Sequence, residues 1–484
     1  MDYETVIGLE VHVQLDTVSK MFCSCGSDYQ LADPNSRVCP ICLGLPGSLP
    51  QINGKAVEYT ILTGLALNCV IPEYTKFDRK NYPYPDLMKG YQISQFDKPL
   101  ALAGALEIES NGRIKIVNIT RIHLEEDVAK LTHITDNTGS YSVVDVNRAG
   151  VALMEIVSEP DMRSSEEARQ YLQNLHAIVQ YLGVSKANMQ DGNFRCDANV
   201  SVRPKGTTEL TTRTEVKNMN SFKAVVQAIE YERDRQIKVV ESGGTVVQET
   251  RGWVDDKQIT SSQRSKEQAH DYRYFPEPDL PPLNITIELV NKLSALMPEL
   301  PRLRNKRFIC ELGLSEYDAG VLISDKPMAD YFESVLEGIE NINNSAVKTT
   351  ANIILGDMTA LLKEANEDFL SCSLPPSYVS NLIQMIQNGT INLSLSKTVL
   401  SECYSKKQKP DIIVKNNNYS VISDPDVLVN TIKKIVDENP KAVEDYNTGK
   451  ESASKFLVGQ VMKETKGQAK PDLVSTILLE MLSK

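Results

Sequence analysis

The stretch GVALMEIVSEPDMR, residues 150–163, sets a carboxylate inside an apolar run. Val151, Leu153, Met154, Ile156 and Val157 read as a buried strand, and Glu155 stands in their midst. Taking a carboxylate out of water is costly unless a cation meets it. The chain must therefore bring something positive to Glu155.

Other strand-like segments carry similarly awkward groups. TVIGLEVHVQL (5–15) alternates, with Leu9, Val11, Val13 and Leu15 on one face and Gly8, Glu10, His12 and Gln14 on the other. RIHLEEDVAK (121–130) and FRCDANVSVRP (194–204) read as strands of the same kind. Glu125, Glu126 and Asp127 are consecutive, so at least one faces inward whatever the strand's orientation. Asp197 follows Cys196, and Glu215 sits in TRTEVKNMNS.

If these strands are neighbours in a sheet, one face gathers several carboxylates and an imidazole. Like charges at close range repel, and protonation or a bound cation relieves them. Oxygen donors suit Mg²⁺, which keeps some of its waters, better than zinc. For Glu126 or Asp127 alone, a solvated half-open sheet is the simpler account; for Glu155 it is not. KFDRKNYPYPD (Lys76, Arg79, Lys80) and DYRYFPEPD (Arg273) offer cations for phosphate oxygens. Mg²⁺ with Arg and Lys is the equipment of phosphoryl transfer. No G-x-x-x-x-G-K-[ST], G-x-G-x-x-G or G-x-S-x-G is present, which excludes those nucleotide loops and that nucleophile elbow.

MFCSCGSDYQLADPNSRVCPICLGLPG (21–47) supplies Cys23, Cys25, Cys39 and Cys42 as C-x-C, thirteen residues, then C-x-x-C. Two tight pairs of thiolates suit tetrahedral zinc, and four cysteines leave no open position, so the metal is expected to be structural. Cys69, Cys196, Cys310, Cys372 and Cys403 are scattered and read as core residues.

SSEEARQYLQNLHAIVQYLGVS (164–185) is a helix with an apolar stripe and a Ser164/Glu167 capping box, and a second helix runs from about Ser221 to Glu241. DYRYFPEPDLPPL (271–283) has four prolines and cannot be a central strand. Beyond it the periodicity is helical. The layout is a β-rich α+β domain followed by two smaller helical units.

The whole chain has 484 residues, 41% hydrophobic and 24% charged, the make-up of an ordinary globular protein. No apolar stretch is long enough for a bilayer and the N-terminus has no signal-peptide character, so a cytoplasmic protein is expected. Net charge is −12, yet residues 405–484 hold 13 Lys+Arg against 11 Asp+Glu, leaving 39 against 53 in the rest. A tail less acidic than its body hints at phosphate; from charge alone, a solvated lysine-rich surface is the better account.

The segments TVIGLEVHVQL, KMFCSCG…CPICLGLPGSLP, KFDRKNYPYPDLMKGYQISQFD, RIHLEEDVAK, VDVNRAGVALMEIVSEPDMRS, RCDANVSVRP, EVKNMNSF and DYRYFPEPDLPPL occur in one order. Together they resemble the B subunits of the heterotrimeric tRNA-dependent amidotransferases, over nearly the whole chain. The ending FLVGQVMKETKGQAKPDLV resembles that family's tRNA-binding tail, whereas Ile353 stands where the family often has Trp.

The resemblance implies a cradle domain at residues 1–292, similar to the catalytic fold of glutamine synthetase and the guanidino kinases, with a zinc knuckle at 23–42. An all-α helical domain at 293–404 and a small α-helical tail domain at 405–484 would follow. It implies ATP- and Mg²⁺-dependent phosphorylation of the side-chain carboxylate of Glu-tRNA(Gln) and/or Asp-tRNA(Asn). Ammonia from a glutaminase A subunit would then displace phosphate, and a small C subunit would join the two large chains. His12, Glu126 and Glu155 would hold one Mg²⁺, with Glu10, Glu125, Asp197 and Glu215 nearby; Glu10, His12, Glu125, Glu126 and Glu155 would be the catalytic set. Arg79, Lys80 and Arg273 would bind nucleotide phosphate, and Lys463, Lys466 and Lys470 tRNA. Two other readings stand beside it: a zinc-bearing tRNA-binding scaffold without chemistry, and a ligase using free ammonia by itself.

Overall fold

β1 (Tyr3–Gln14) is the axis of the computed structural model, which describes residues 2–137, 139–265, 271–419, 425–447, 450, 452–465, 468–469 and 471–482. In chain order there follow α1 (Gly54–Ala66), β2 (Tyr74–Thr75), β3 (Asp78–Asn81), β4 (Tyr91–Ser94), β5 (Ala101–Ser110), β6 (Arg113–Glu126), β7 (Lys130–Asp136), β8 (Gly139–Asp145), β9 (Ala152–Ser158), α2 (Ser165–Tyr181), β10 (Phe194–Pro204), β11 (Thr214–Met219), α3 (Phe222–Glu241), β12 (Glu249–Val254), β13 (Ile259–Ser265), β14 (Phe275–Pro276), β15 (Leu283–Asn284) and α4 (Ile287–Ala295). Eight strands make one sheet in the order β13-β12-β11-β10-β1-β9-β6-β5. All its pairs are antiparallel except β11 with β12.

Period-2 alternation gives this sheet two unlike faces. Ile7, Leu9, Val11 and Val13 of β1 share a buried core with Ile122 and Leu124 of β6, Met154 and Ile156 of β9, and Ala198 and Val200 of β10. α1, α2 and α3 pack against the sheet and contribute to that core. α2 brings Ala168, Tyr171, Leu172, Leu175 and Val179, all fully buried. Its cap differs from the expected box. Ser164 Oγ does accept the Glu167 N–H at 3.1 Å, but the Glu167 carboxylate turns to the Arg163 N–H (2.7 Å) and Lys115 (2.6 Å).

The proline-rich segment folds back rather than simply leaving the domain. Phe275 and Pro276 pair with Arg79 and Asp78, and Leu283 pairs with Thr75. In the order β14-β3-β4 the proline lies on an edge strand, where its missing donor is tolerated.

The chain divides into two units, Met1–Pro301 and Arg302–Lys484. The second is helical. One of its cores gathers Phe308, Phe332, Leu382 and Val399, and includes Ile413 and Val414, so it reaches past the sequence boundary at 404/405. The other gathers Leu428, Ile432, Leu457, Val461 and Leu478. Ile353 opens a π-helical turn, Ile353–Met358, and is buried in the first of these cores. Among the described residues no helix is long and apolar enough to cross a membrane.

Gly104 of β5 is a packing requirement, because an added Cβ would lie 2.3 Å from Cys69 Sγ and 2.8 Å from the Leu67 carbonyl oxygen. Gly104→Ala is expected to destabilise the protein by about 1–3 kcal/mol, read as a lowered thermal midpoint. Gly54→Ala, which meets nothing within 4 Å, should leave the midpoint unchanged or slightly higher.

Candidate functional site

The register across three strands sets the site. Glu155 on β9 lies opposite His12 on β1 and opposite His123 on β6. Its Oε2 is 3.3 Å from His12 Nε2 and 3.4 Å from His123 Nε2. Two imidazoles, one from each side, meet the buried carboxylate. Two residues further along β6, Glu125 approaches the same imidazoles at 3.7 and 3.8 Å and accepts a 3.4 Å bond from Ser94 Oγ.

Ligand atoms of His12, Glu125 and Glu155 all lie within 4.8 Å of one another. Two carboxylates and one imidazole can hold a divalent ion and leave positions for water or substrate oxygens. Within the chain itself, a proton on His12 answers these carboxylates. Burial opposes a charge on His12, but its hydrogen bond to Glu155 and the charges of Glu155, Glu125 and Asp197 lift it to about 9. Burial pushes Glu155 up; His123 and His12 outweigh it and hold the acid well below the usual range.

A second acidic group adjoins the first on the same face. Glu10 opposes Asp197, and Asn199 opposes Glu215 across β11. Lys217 joins Asp197 and, at 3.1 Å, Glu215. Asn199 donates to Glu10 at 2.9 Å, and Thr250 to Glu215 at 2.7 Å. Burial first, then Glu155, Glu215 and Asp197, raise Glu10.

Glu126 is not brought into the cluster. It accepts from Lys89 at 2.5 Å and from the Ile93 N–H at 3.0 Å, so Glu125 takes the place expected for it. Asp127 pairs with Arg195 at 2.9 Å. Arg79 and Lys80 separate as neighbours on a strand must. Arg79 is held in a two-bond grip by Glu277 (2.7 and 2.8 Å) and reaches Asp279 at 3.2 Å, which commits its guanidinium to structure. Lys80 lies over the Tyr272 ring at 5.1 Å and near Tyr82 at 5.8 Å. Burial opposes its charge, yet Glu125, Tyr274, Tyr82 and Glu155 carry it above the ordinary lysine range. Arg273 is exposed at φ +44°, with its N–H on Asp271. Lys463 is exposed on the helix Ser452–Glu464; Lys466 and Lys470 lie outside the described residues.

Cys23, Cys25, Cys39 and Cys42 converge, each offering sulfur within 4.8 Å of the others. The Cys23 thiol, the Cys39 backbone and nearby Lys20 outweigh burial and hold Cys42 down to about 4. Lys20 is fully buried and donates to the Arg37 carbonyl at 2.8 Å. Of the remaining cysteines, Cys69, Cys196 and Cys403 are buried as expected, Cys372 is partly buried, and Cys310 is exposed.

Three features of this face escaped the sequence reading. His123 was legible as the residue two before Glu125 on one strand face. Lys217 was legible as two after Glu215. The aromatic group of Tyr82, Tyr272, Tyr274 and Phe96, with Phe96 stacked on Tyr274 at 4.2 Å, joins β3 and the proline-rich segment and left no local signal.

Residues 5–291 match the family model described as the GatB/GatE catalytic domain, and residues 330–482 the GatB domain. This chain belongs to the GatB family. Similar curated relatives are named as the B subunit of aspartyl/glutamyl-tRNA(Asn/Gln) amidotransferase. The one from Dehalococcoides mccartyi strain 195 is 54% identical, over 100% of this chain and 99% of its own. Those from Carboxydothermus hydrogenoformans and Thermoanaerobacter pseudethanolicus are 51% identical, over 100% of this chain and 99% and 100% of theirs. The acidic face and the cysteine cluster both lie within the stretch matched to the GatB/GatE catalytic domain.

Because His12 is raised from 6.5 to about 9 on folding, its contribution to stability is present below pH 6.5. It is lost as pH rises through about 9. In metal-free protein, an NMR titration should place the His12 ring near that value, and Glu155→Gln should bring it down toward 6.5. An unmoved titration in the variant would contradict the pairing.

Proposed function

We propose that this chain is the B subunit of a heterotrimeric tRNA-dependent amidotransferase of the cytoplasm. It would activate the side-chain carboxylate of Glu-tRNA(Gln) and/or Asp-tRNA(Asn) with ATP and then amidate it. The observation that carries this reading is the convergence of His12, Glu125 and Glu155 from three adjacent strands onto one point. A scaffold has no use for carboxylates buried at that cost. The large sheet and its covering helices would form a cradle of the glutamine synthetase and guanidino kinase kind.

A carboxylate is a poor electrophile; an acyl phosphate carries a good leaving group. The carboxylate oxygen attacks the γ-phosphorus of ATP and ADP departs; ammonia then attacks the acyl carbon and phosphate departs. Bound Mg²⁺ supplies charge neutralisation between ATP and the incoming carboxylate, which otherwise repel. His12, Glu125 and Glu155 would hold one ion, with Glu10, Asp197 and Glu215 placed for a second once Lys217 yields. Lys80, half-buried and poised beside Glu125 and Glu155, is suited to an anionic substrate oxygen. Arg273 extends that charge outward, whereas Arg79 is already engaged by Glu277. The aromatic group beside Lys80 shelters the reacting atoms from water.

Ammonia must arrive unprotonated, which a glutaminase A subunit joined through a small C subunit would provide. The helical second unit, with Lys463, Lys466 and Lys470 near its end, would hold the tRNA. The four cysteines would hold structural zinc. A fully buried Lys20 supports this, since zinc with four thiolates carries net negative charge and supplies the anion that a buried ammonium needs.

The test is ATP- and glutamine-dependent conversion of Glu-tRNA(Gln) by the chain assembled with its A and C partners. Glu155→Gln is expected to lower turnover at least about a hundredfold while tRNA affinity is kept. Glu126→Gln should lower thermal stability more than turnover. Equal activity of the Glu155→Gln and wild-type complexes sinks the proposal. Separately, Cys23→Ser should reduce the zinc recovered per chain and lower the thermal midpoint. A selective loss of carboxylate activation in a fully folded, zinc-replete variant would count against a structural role.

A further inference from the structure

His123 stands outside the expected ligand set, yet it is as enclosed as Glu125 beside it. It is 3% exposed, and its Nε2 lies 3.4 Å from Glu155 Oε2 and 3.8 Å from Glu125 Oε2. The strand order β1-β9-β6 places it across Glu155 from His12, so the carboxylate is flanked by an imidazole on each neighbouring strand. His123 is not one of the three residues whose ligand atoms are all mutually close; that set is His12, Glu125 and Glu155. It stands against two of those ligands from the far side.

Its other nitrogen fixes how it acts. Nδ1 is buried and has no hydrogen-bond partner among the described residues. A buried N–H without an acceptor is rarely tolerated, while an idle acceptor lone pair is less costly. The proton therefore sits on Nε2, aimed at the carboxylates. Carboxylates that bind metals are characteristically steered by such donors.

We infer that His123 is a positioning residue for the divalent-ion site: its Nε2–H fixes the carboxylates of Glu155 and Glu125 in the pose from which they ligate the ion together with His12. This rests on the metal reading given above. It differs from a packing role because it requires a donor, not merely a ring. Ser94, which donates to Glu125 at 3.4 Å, is its counterpart on the other acid.

The experiment is Mn²⁺ binding to the full-length chain, followed by the electron paramagnetic resonance of free Mn²⁺, with zinc content and circular dichroism as measures of folding. His123→Phe, which keeps a flat ring without a donor, should weaken Mn²⁺ binding about 10–100-fold with zinc unchanged. His123→Gln, which restores an N–H, should recover most of that loss. A folded His123→Phe protein that binds Mn²⁺ like wild type overturns the assignment. So does a His123→Gln protein as weak as His123→Phe, which would point to the ring's packing. Wild-type protein that takes up no Mn²⁺ overturns the metal reading and this inference together, so the two failures are told apart.

Discussion

Glu155 is a carboxylate in the middle of a sheet, and the arrangement around it follows from that one placement. A buried anion needs hydrogen-donating partners at close range, and in a sheet such partners come from the strands on either side. His12 and His123 occupy those two places. The requirement fixes register as firmly as the apolar core does. A one-residue slip of β9 would turn Glu155 into the layer of α1, α2 and α3 and send Met154 and Ile156 to the acidic side. Core and site therefore specify the same alignment.

The acidic face stays intact because its charges are answered locally. Lys80 attends Glu125 and Glu155, Lys217 attends Asp197 and Glu215, and Lys89 attends Glu126. Two of these lysines come from the short segments β3 and the turn before β4, so the small sheet is part of the site's electrostatics rather than an ornament. The cysteine knuckle enters the same chain of contacts. A Cβ on Gly44 would sit 2.4 Å from Lys89 Cγ, and one on Gly150 would meet both Cys42 and Lys20 within 3.6 Å. Both glycines have positive φ, 68° and 84°, which other residues adopt only under strain. The cysteine cluster thus buttresses the lysine that holds Glu126 apart from His12, Glu125 and Glu155.

Much of this was legible in the sequence because it is periodic. Alternation in residues 5–15 separated the core residues Leu9, Val11 and Val13 from Glu10 and His12, and the C-x-C and C-x-x-C pairs named their cluster. The choice between Glu125 and Glu126 was not legible. Adjacent residues point to opposite faces, and only the pairing of His123 with Glu155 decides which acid accompanies it. Arg79 and Lys80 posed the same ambiguity, and Glu277, nearly two hundred residues away, resolves it by claiming Arg79. Long-range partners of that kind leave no mark in a local pattern. The capping box failed for a related reason: Lys115 on β6 competes for the Glu167 carboxylate.

The acidic face holds cations of its own. His12 raised to about 9 is positively charged at neutral pH, and Lys217 lies between Asp197 and Glu215. On the proposed metal reading, an arriving divalent ion would exchange with a proton on His12 rather than enter a hole of unbalanced negative charge. Such an exchange would leave the proposed ligands close to their working positions beforehand. It also separates the two acidic groups. On that reading the first would release a proton to water, whereas the second would have to move a whole lysine side chain.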